Sequence, residues 1–234
     1  MIKIENVEIA GWEPAIRVLH SSNNSREESD SERKYESWHD MSGGYFNIGP
    51  NDLNLIASLR NSDTGRWEFM QMITVYLDIT APSYWWSEFD ACRVCAVTNP
   101  YSMMHQIVGK EFTLEDFSRE HLTIQTKDKL ENVMGALNCY RNIYLNWERQ
   151  EEFIQRIFEY DKKEVWWQMI HLLPSSYNQK RTIMISYESL ANIYKNEHDH
   201  KLDEYEWYKF YKWVESLPYS GLITGKENND VYTE

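Results

Sequence analysis

Cysteine, positive charge, internal repeats and long apolar runs are what this chain has least of, and each scarcity removes a class of protein. Three cysteines in 234 residues, Cys92, Cys95 and Cys139, leave an odd thiol and no disulfide framework, which is the usage of a reducing compartment. Lys and Arg number 24 against 37 Asp and Glu, a formal net charge of -13. That balance excludes broad binding to nucleic acid or anionic membranes, because both need clustered cations that displace counterions. A small anionic ligand stays open, since a few inward-facing cations can hold one beneath an acidic surface. No stretch approaches the roughly 18 consecutive apolar residues that span a bilayer, and "MIKIENVEIAGWEP" shows no basic segment followed by an apolar one. The expectation is a soluble, cytoplasmic protein. Without repeats or low-complexity tracts there is no array.

What is abundant is aromatic. Ten Trp and sixteen Tyr lift the aromatic share to 15%, within a hydrophobic share of 42%, too much for a disordered chain. The length suits one large α/β domain or two small ones.

"IKIENVEIAG" alternates Ile2, Ile4, Val7 and Ile9 imperfectly and predicts an opening strand that stops at Gly11. From Ser21 to Gly44 apolar residues nearly vanish, which predicts a long exposed loop or lid. "GPNDLNLIASLRNSD" predicts a short helix capped by Asn51 or Asp52. "EFMQMITVYLDITAP" alternates from Met70 onward and, with its β-branched residues, predicts a long strand ending at Pro82. Leu130, Val133, Met134, Leu137 and Tyr140 recur at spacings of three and four and predict a helix, as does "QEEFIQRIFEYDKKEVWWQMIHLLP". A last helix, "KLDEYEWYKFYKWVESLP", should turn Leu202, Tyr205, Tyr208 or Phe210, and Trp213 inward, before a polar tail.

Two segments concentrate chemistry. The first is "SYWWSEFDACRVCAVTNPYSMMH", Ser83 to His105. Its Cys92-x-x-Cys95 lacks the second ligand pair of a structural zinc and, with Glu88 to Val97 reading as the middle of a helix, reads as structural thiols ahead of a redox pair or a metal half-site. Trp85, Trp86 and Phe89 predict one buried helix face, with the other free to meet a planar ring. Glu88 and Asp90 point different ways on a helix and read as a polar face. Pro100 then breaks the helix, leaving Asn99, Ser102 and His105 in a turn suited to binding. The second segment, His171 to Arg181, ends a helix at Pro174 and gathers Ser175, Ser176, Asn178, Gln179, Lys180 and Arg181. These donors and charges suit a phosphate, or they cap the next element.

The order of these pieces resembles the flavin-dependent thymidylate synthases over roughly Met70 to His105 and His171 to Trp213. That family carries Arg-His-Arg on a helix, then Ser-x-Asn-x-x-Ser-x-Arg-Tyr, and later a Leu-Pro before a polar segment. "NPYS" keeps the family's Asn and Ser as Asn99 and Ser102. Cys92, Arg93 and Val94 stand where Arg-His-Arg would, Val97 replaces a Ser, and Met104 and His105 replace Arg-Tyr. Anchoring on Leu173-Pro174 puts Ser186 near a flavin-contacting Asn, Asn192 near a His and Glu197 near a nucleotide-binding Arg. Lys180 and Arg181 add charge to the polar segment, and His198, His200, Asp203 and Glu204 open the last helix.

The resemblance implies an α/β (α+β) fold, a twisted sheet with surrounding helices, in one domain over 1–222 with an exposed insertion at about 21–44 and a polar tail over 223–234. It also implies a homotetramer with ligand sites between subunits. With the signature replaced, it implies a nucleotide-binding protein without orthodox methyl transfer, of a phage type that sequesters a nucleotide signal, with no cofactor expected. The alternatives are an active FAD-dependent synthase converting dUMP to dTMP, and a structural or partner-binding protein. In the expected site Arg93, Asn99, Ser102, Lys180 and Arg181 converge, and Trp85 or Trp86 walls a nucleobase, against the reading in which both rings only pack.

Overall fold

Alternation builds the centre of the sheet. In β4 (Thr74–Pro82) Val75, Leu77, Ile79 and Ala81 are buried while Tyr76 is exposed, the one-sided burial that period-2 side chains give. The strands run in the order β1-β4-β6-β5, with β1 at Lys3–Ala10, β5 at Val97–Pro100 and β6 at Asn178–Ser186. A separate antiparallel pair joins β2 (Glu32–Lys34) to β3 (Tyr45–Asn47) in the register Arg33 opposite Phe46. The computed structural model describes residues 2–23, 29–34, 45–60, 67–92, 97–100, 107–149, 161–195 and 203–226. Among them no helix is long and apolar enough to cross a membrane.

The chain falls into two compact units, one of residues 1–5, 78–91 and 98–182, the other of 6–77, 92–97 and 183–234, and the division falls inside β1, β4, β5 and β6. In the first, α3 (Ser83–Ala91) follows β4 directly. Helices α4 (Ile124–Leu145) and α5 (Lys162–Leu172) pack on each other, with Leu130, Leu137 and Met169 in their core beside Ile107. Phe112, Phe117 and Tyr177 add a ring cluster with centroids 5.8–6.3 Å apart. The spacing of Leu130, Val133, Met134, Leu137 and Tyr140 does place all five in or against that core.

In the second unit, α1 (Trp12–Asn23) leaves β1 through Gly11, whose φ is +99° and where a Cβ would overlap the Met72 carbonyl oxygen; only glycine fits. The same unit holds α2 (Pro50–Arg60), α6 (Tyr187–Lys195), α7 (Tyr208–Glu215) and the short α8 (Gly221–Thr224), and α8 packs against the other three.

Four sequence expectations are corrected here. The strand expected from Met70 starts at Thr74, because Phe69 and Met70 are both buried, which one face of a strand cannot do, and Glu68–Gln71 instead forms a 3-10 turn. The helix expected through Val97 ends at Ala91; Val97–Pro100, with β-branched Val97 and Thr98, pairs as an edge strand, where proline is tolerated. The 21–44 segment is not loop throughout: α1 runs to Asn23, and Glu32–Lys34 is a strand. In the last helix Phe210, the alternative offered to Tyr208, is buried as expected together with Trp207, Tyr211 and Val214, while Tyr205 and Tyr208 are exposed and Trp213 is half-buried, because Asp203–Trp207 is a turn of π-helix that rotates the register. Leu202 lies outside the described residues.

Neither Asn51 nor Asp52 caps α2. The helix begins at Pro50, a position that suits proline, and Asp30 accepts hydrogen bonds from the backbone N–H groups of Asn51 (2.9 Å) and Asp52 (3.1 Å).

The second unit carries an acid-sensitive clasp. Glu215 accepts from Lys212 (2.7 Å), from the Tyr194 hydroxyl (2.7 Å) and from Lys226 (3.2 Å). These bonds, led by Lys212, hold its carboxyl at about 2 against an ordinary 4.5, although partial burial pushes the other way. A depressed carboxylate contributes stability above its unfolded value and loses it as pH falls. The melting-temperature gap between wild type and Glu215→Gln should therefore be constant above about pH 4.5 and narrow as pH drops toward about 2. A gap that does not change across that window would show the clasp to be energetically silent.

Candidate functional site

Strand β6 carries the two cations singled out in the sequence, and the pleat sends neighbouring side chains to opposite faces. Lys180 and Arg181 therefore do not converge. On one face, the Lys180 ammonium lies 3.1 Å from Asp78 and 3.8 Å from Glu5, and the Thr182 hydroxyl donates to Asp78 at 2.6 Å. Glu5 also takes Lys3 at 2.7 Å. The Lys3 hydrogen bond, supported by the charge of Lys180, holds the Glu5 carboxyl below its ordinary range despite some desolvation.

On the other face, Arg181 Nη1 donates to both carboxylate oxygens of Asp90 (3.1 and 3.0 Å) and Nη2 to Gln179 Oε1 (3.3 Å). The guanidinium carbon stands 4.2 Å over the Trp86 ring, a cation–π stack. Trp86 Nε1 donates to the Gln179 carbonyl (3.1 Å), and Gln179 Nε2 donates to Ser83 Oγ (2.9 Å). Trp86 and Asp90 are four residues apart on α3, so they share a face and close on Arg181 together.

Trp85 and Trp86 are 0% and 1% exposed. This corrects the expectation that either ring walls a nucleobase: both lie in the aromatic core with Phe89, at centroid distances of 5.0–5.6 Å.

The polar segment after Pro174 is a joint and not an open phosphate loop. Asn178, Gln179, Lys180 and Arg181 belong to β6, which corrects their placement in a loop. Ser175 and Ser176 are in a turn whose carbonyls accept the backbone N–H groups of Tyr84 (3.2 Å) and Ser118 (2.8 Å). Asn178 Oδ1 accepts from the Ser118 hydroxyl at 2.9 Å. Between them Tyr177 is buried, and burial, with the Asp116 charge, pushes its phenol up to about 12. Asn99 sits in β5, not in a turn. Arg93, Ser102 and His105 lie outside the described residues, as do Cys95 and Glu197; among the described residues neither Cys92 nor Cys139 is in a disulfide. Among the described residues no group of His, Cys, Asp or Glu could hold a metal ion.

Sequence reasoning read Asp90 as part of a polar helix face and did not single out Asp78 or Glu5. For Asp90 a signal existed, since its spacing from Trp86 put carboxylate and indole on one helix face. For Asp78 and Glu5 the only cue was the strand pairing that brings them beside Lys180.

No family model matches the sequence, and no curated protein matches it. Solved structures match it in three dimensions. Thymidylate synthase X from Helicobacter pylori, in a structure with FAD and dUMP, matches at a TM-score of 0.60 and 13% identity over 96% of this chain and 97% of the other. A second structure of the flavin-dependent thymidylate synthase from Helicobacter pylori, complexed with FAD and dUMP, matches at a TM-score of 0.59 and 15% identity over 94% and 97%. A mixed helix and sheet architecture with a small twisted sheet, matched across nearly the whole of both chains, is the fold of the flavin-dependent thymidylate synthases.

Proposed function

We propose that this chain binds a nucleotide on the flavin-dependent thymidylate synthase fold without carrying out orthodox methyl transfer, as a phage-type protein that sequesters a nucleotide signal. The observation that supports the binding is the likeness over 96% of the chain to a protein whose structure holds dUMP. The case against methyl transfer is chemical. A flavin dinucleotide carries a diphosphate, which needs guanidinium groups free to donate. In place of Arg-His-Arg the chain has Cys92, Arg93 and Val94. Of the two cations after Pro174, Lys180 is held by Asp78 and Glu5 on the opposite face of β6 from Arg181, which leaves one guanidinium there for two phosphates. This set does not fit FAD.

Arg93, Asn99, Ser102 and His105 join Arg181 as the nucleotide contacts in this reading, in a homotetramer. Native mass spectrometry of the protein as purified, followed by calorimetry with dUMP, tests the binding, the assembly and the absence of flavin. The expected result is a tetramer mass, binding of a nucleotide of the dUMP class, no flavin, and an affinity about tenfold weaker in Arg93→Ala, the loss of a charge-assisted contact. Stoichiometric FAD, or thymidylate formed from dUMP, would make the active synthase the correct reading. A ligand-free monomer that ignores dUMP would leave a partner-binding protein.

A further inference from the structure

Arg181 is set up as an anion receptor and then occupied by the protein itself. Its side chain is 15% exposed, its face is fixed by the Trp86 ring and its Nη2 by Gln179, so its position does not depend on Asp90 alone. The hold exerted by Asp90 is of a weaker kind. Both carboxylate oxygens share the single nitrogen Nη1, where the strong arrangement engages two nitrogens in a fork. Among the described residues Arg181 Nε is buried with no protein acceptor, so the guanidinium is incompletely satisfied there. Asp90 is 52% exposed and belongs to the last turn of α3 (Ser83–Ala91), where the negative end of the helix dipole disfavours a carboxylate.

The geometry points to Asp90 as a resident anion that occupies Arg181 until the phosphate group of a bound ligand displaces it. This rests on the nucleotide reading and deepens it: the ligand's phosphate is recognised by competition with a carboxylate of the same chain. A phosphate brings two negative charges and three acceptor oxygens to Nη1, and a released Asp90 swings into water at small cost, since it is already half exposed. A weakly anionic or neutral ligand gains nothing by the exchange, so Asp90 selects for phosphorylated over unphosphorylated ligands.

Calorimetric titration of the full chain at low salt tests this, with inorganic pyrophosphate and dUMP as separate probes, on wild type, Asp90→Asn, Arg181→Gln and the double variant. Asp90→Asn removes the competing charge at nearly constant size, and Asp90→Ser serves if the amide variant does not fold. Expected is about tenfold tighter binding of both probes by Asp90→Asn, the gain absent from the double variant, with uridine unaffected. If Asp90→Asn binds dUMP as wild type does or more weakly, Asp90 merely positions Arg181 and the inference is overturned while the nucleotide reading stands. If pyrophosphate tightens on Asp90→Asn but dUMP binds no variant, the phosphate competition holds and the nucleotide reading falls. If neither probe binds any variant, both fall.

Discussion

Asp52→Ala should destabilise the protein by about 3–5 kcal/mol, the cost of leaving several buried and part-buried donors without their acceptor. Asp52 is 1% exposed and its neighbour His20 4%. His20 Nε2 donates to Asp52 Oδ1, while Oδ2 accepts the hydroxyls of Ser29 (2.7 Å) and Ser31 (2.5 Å) and the backbone N–H of Ser31 (3.2 Å). One carboxylate thus ties α1, the start of α2 and the segment leading into β2. Burial pushes the Asp52 carboxyl up, but the bonds from Ser31, His20 and Ser29 outweigh it and hold it below its ordinary value, so it stays charged at neutral pH. Truncation leaves a buried imidazole and two hydroxyls without their acceptor, and each orphaned group adds a desolvation cost of about 1–3 kcal/mol. Asp52→Asn keeps one acceptor oxygen and should lose clearly less. Urea unfolding measures both, and a loss below about 1 kcal/mol for Asp52→Ala would mean that water replaces the carboxylate and the network ties nothing.

That network also shows where sequence reading stops. Ser29, Ser31 and Asp52 look like the polar punctuation of a loop and a helix cap, because the partners lie 21 to 32 residues apart. Local pattern carries no information about such pairs. Where burial is one-sided and local, the pattern was legible: the alternation of Val75, Leu77 and Ile79, the three-and-four spacing of α4, and the stop of β1 at Gly11 all stand in the structure. It failed where a neighbour decides. Phe69 and Met70 are buried together, so the chain tightens into a 3-10 turn before β4. Val97–Pro100 pairs with the strand next to it in the sheet, and no periodicity within α3 announces where that helix ends. The candidate site divides the same way. The donors of the segment after Pro174 were visible, but Arg181 and Asp90 are 91 residues apart, so the neutralisation of that cation was not.

Trp86→Ala should cost about 3–5 kcal/mol of stability, the usual range for deleting a large buried ring, and this separates a packing role from a ligand-wall role for the Trp-Trp pair. The indole is 1% exposed, meets Trp85 and Phe89 edge-on, and donates its N–H to the Gln179 carbonyl. Its removal opens a cavity, strips the Gln179 carbonyl of a donor and takes the stacking face from Arg181. Trp86→Phe keeps most of the apolar volume and part of the cation–π contact but not the N–H, so it should fall between alanine and wild type. Trp85→Ala, at 0% exposure, should be at least as damaging as Trp86→Ala. Chemical denaturation of the three variants gives the comparison, with dUMP calorimetry under conditions where each remains folded. Variants that keep wild-type stability and lose only nucleotide affinity would mean that the rings swing out to meet a base. Loss of stability graded by the volume removed, with dUMP affinity preserved in Trp86→Phe, marks them as the core that holds Arg181 in place.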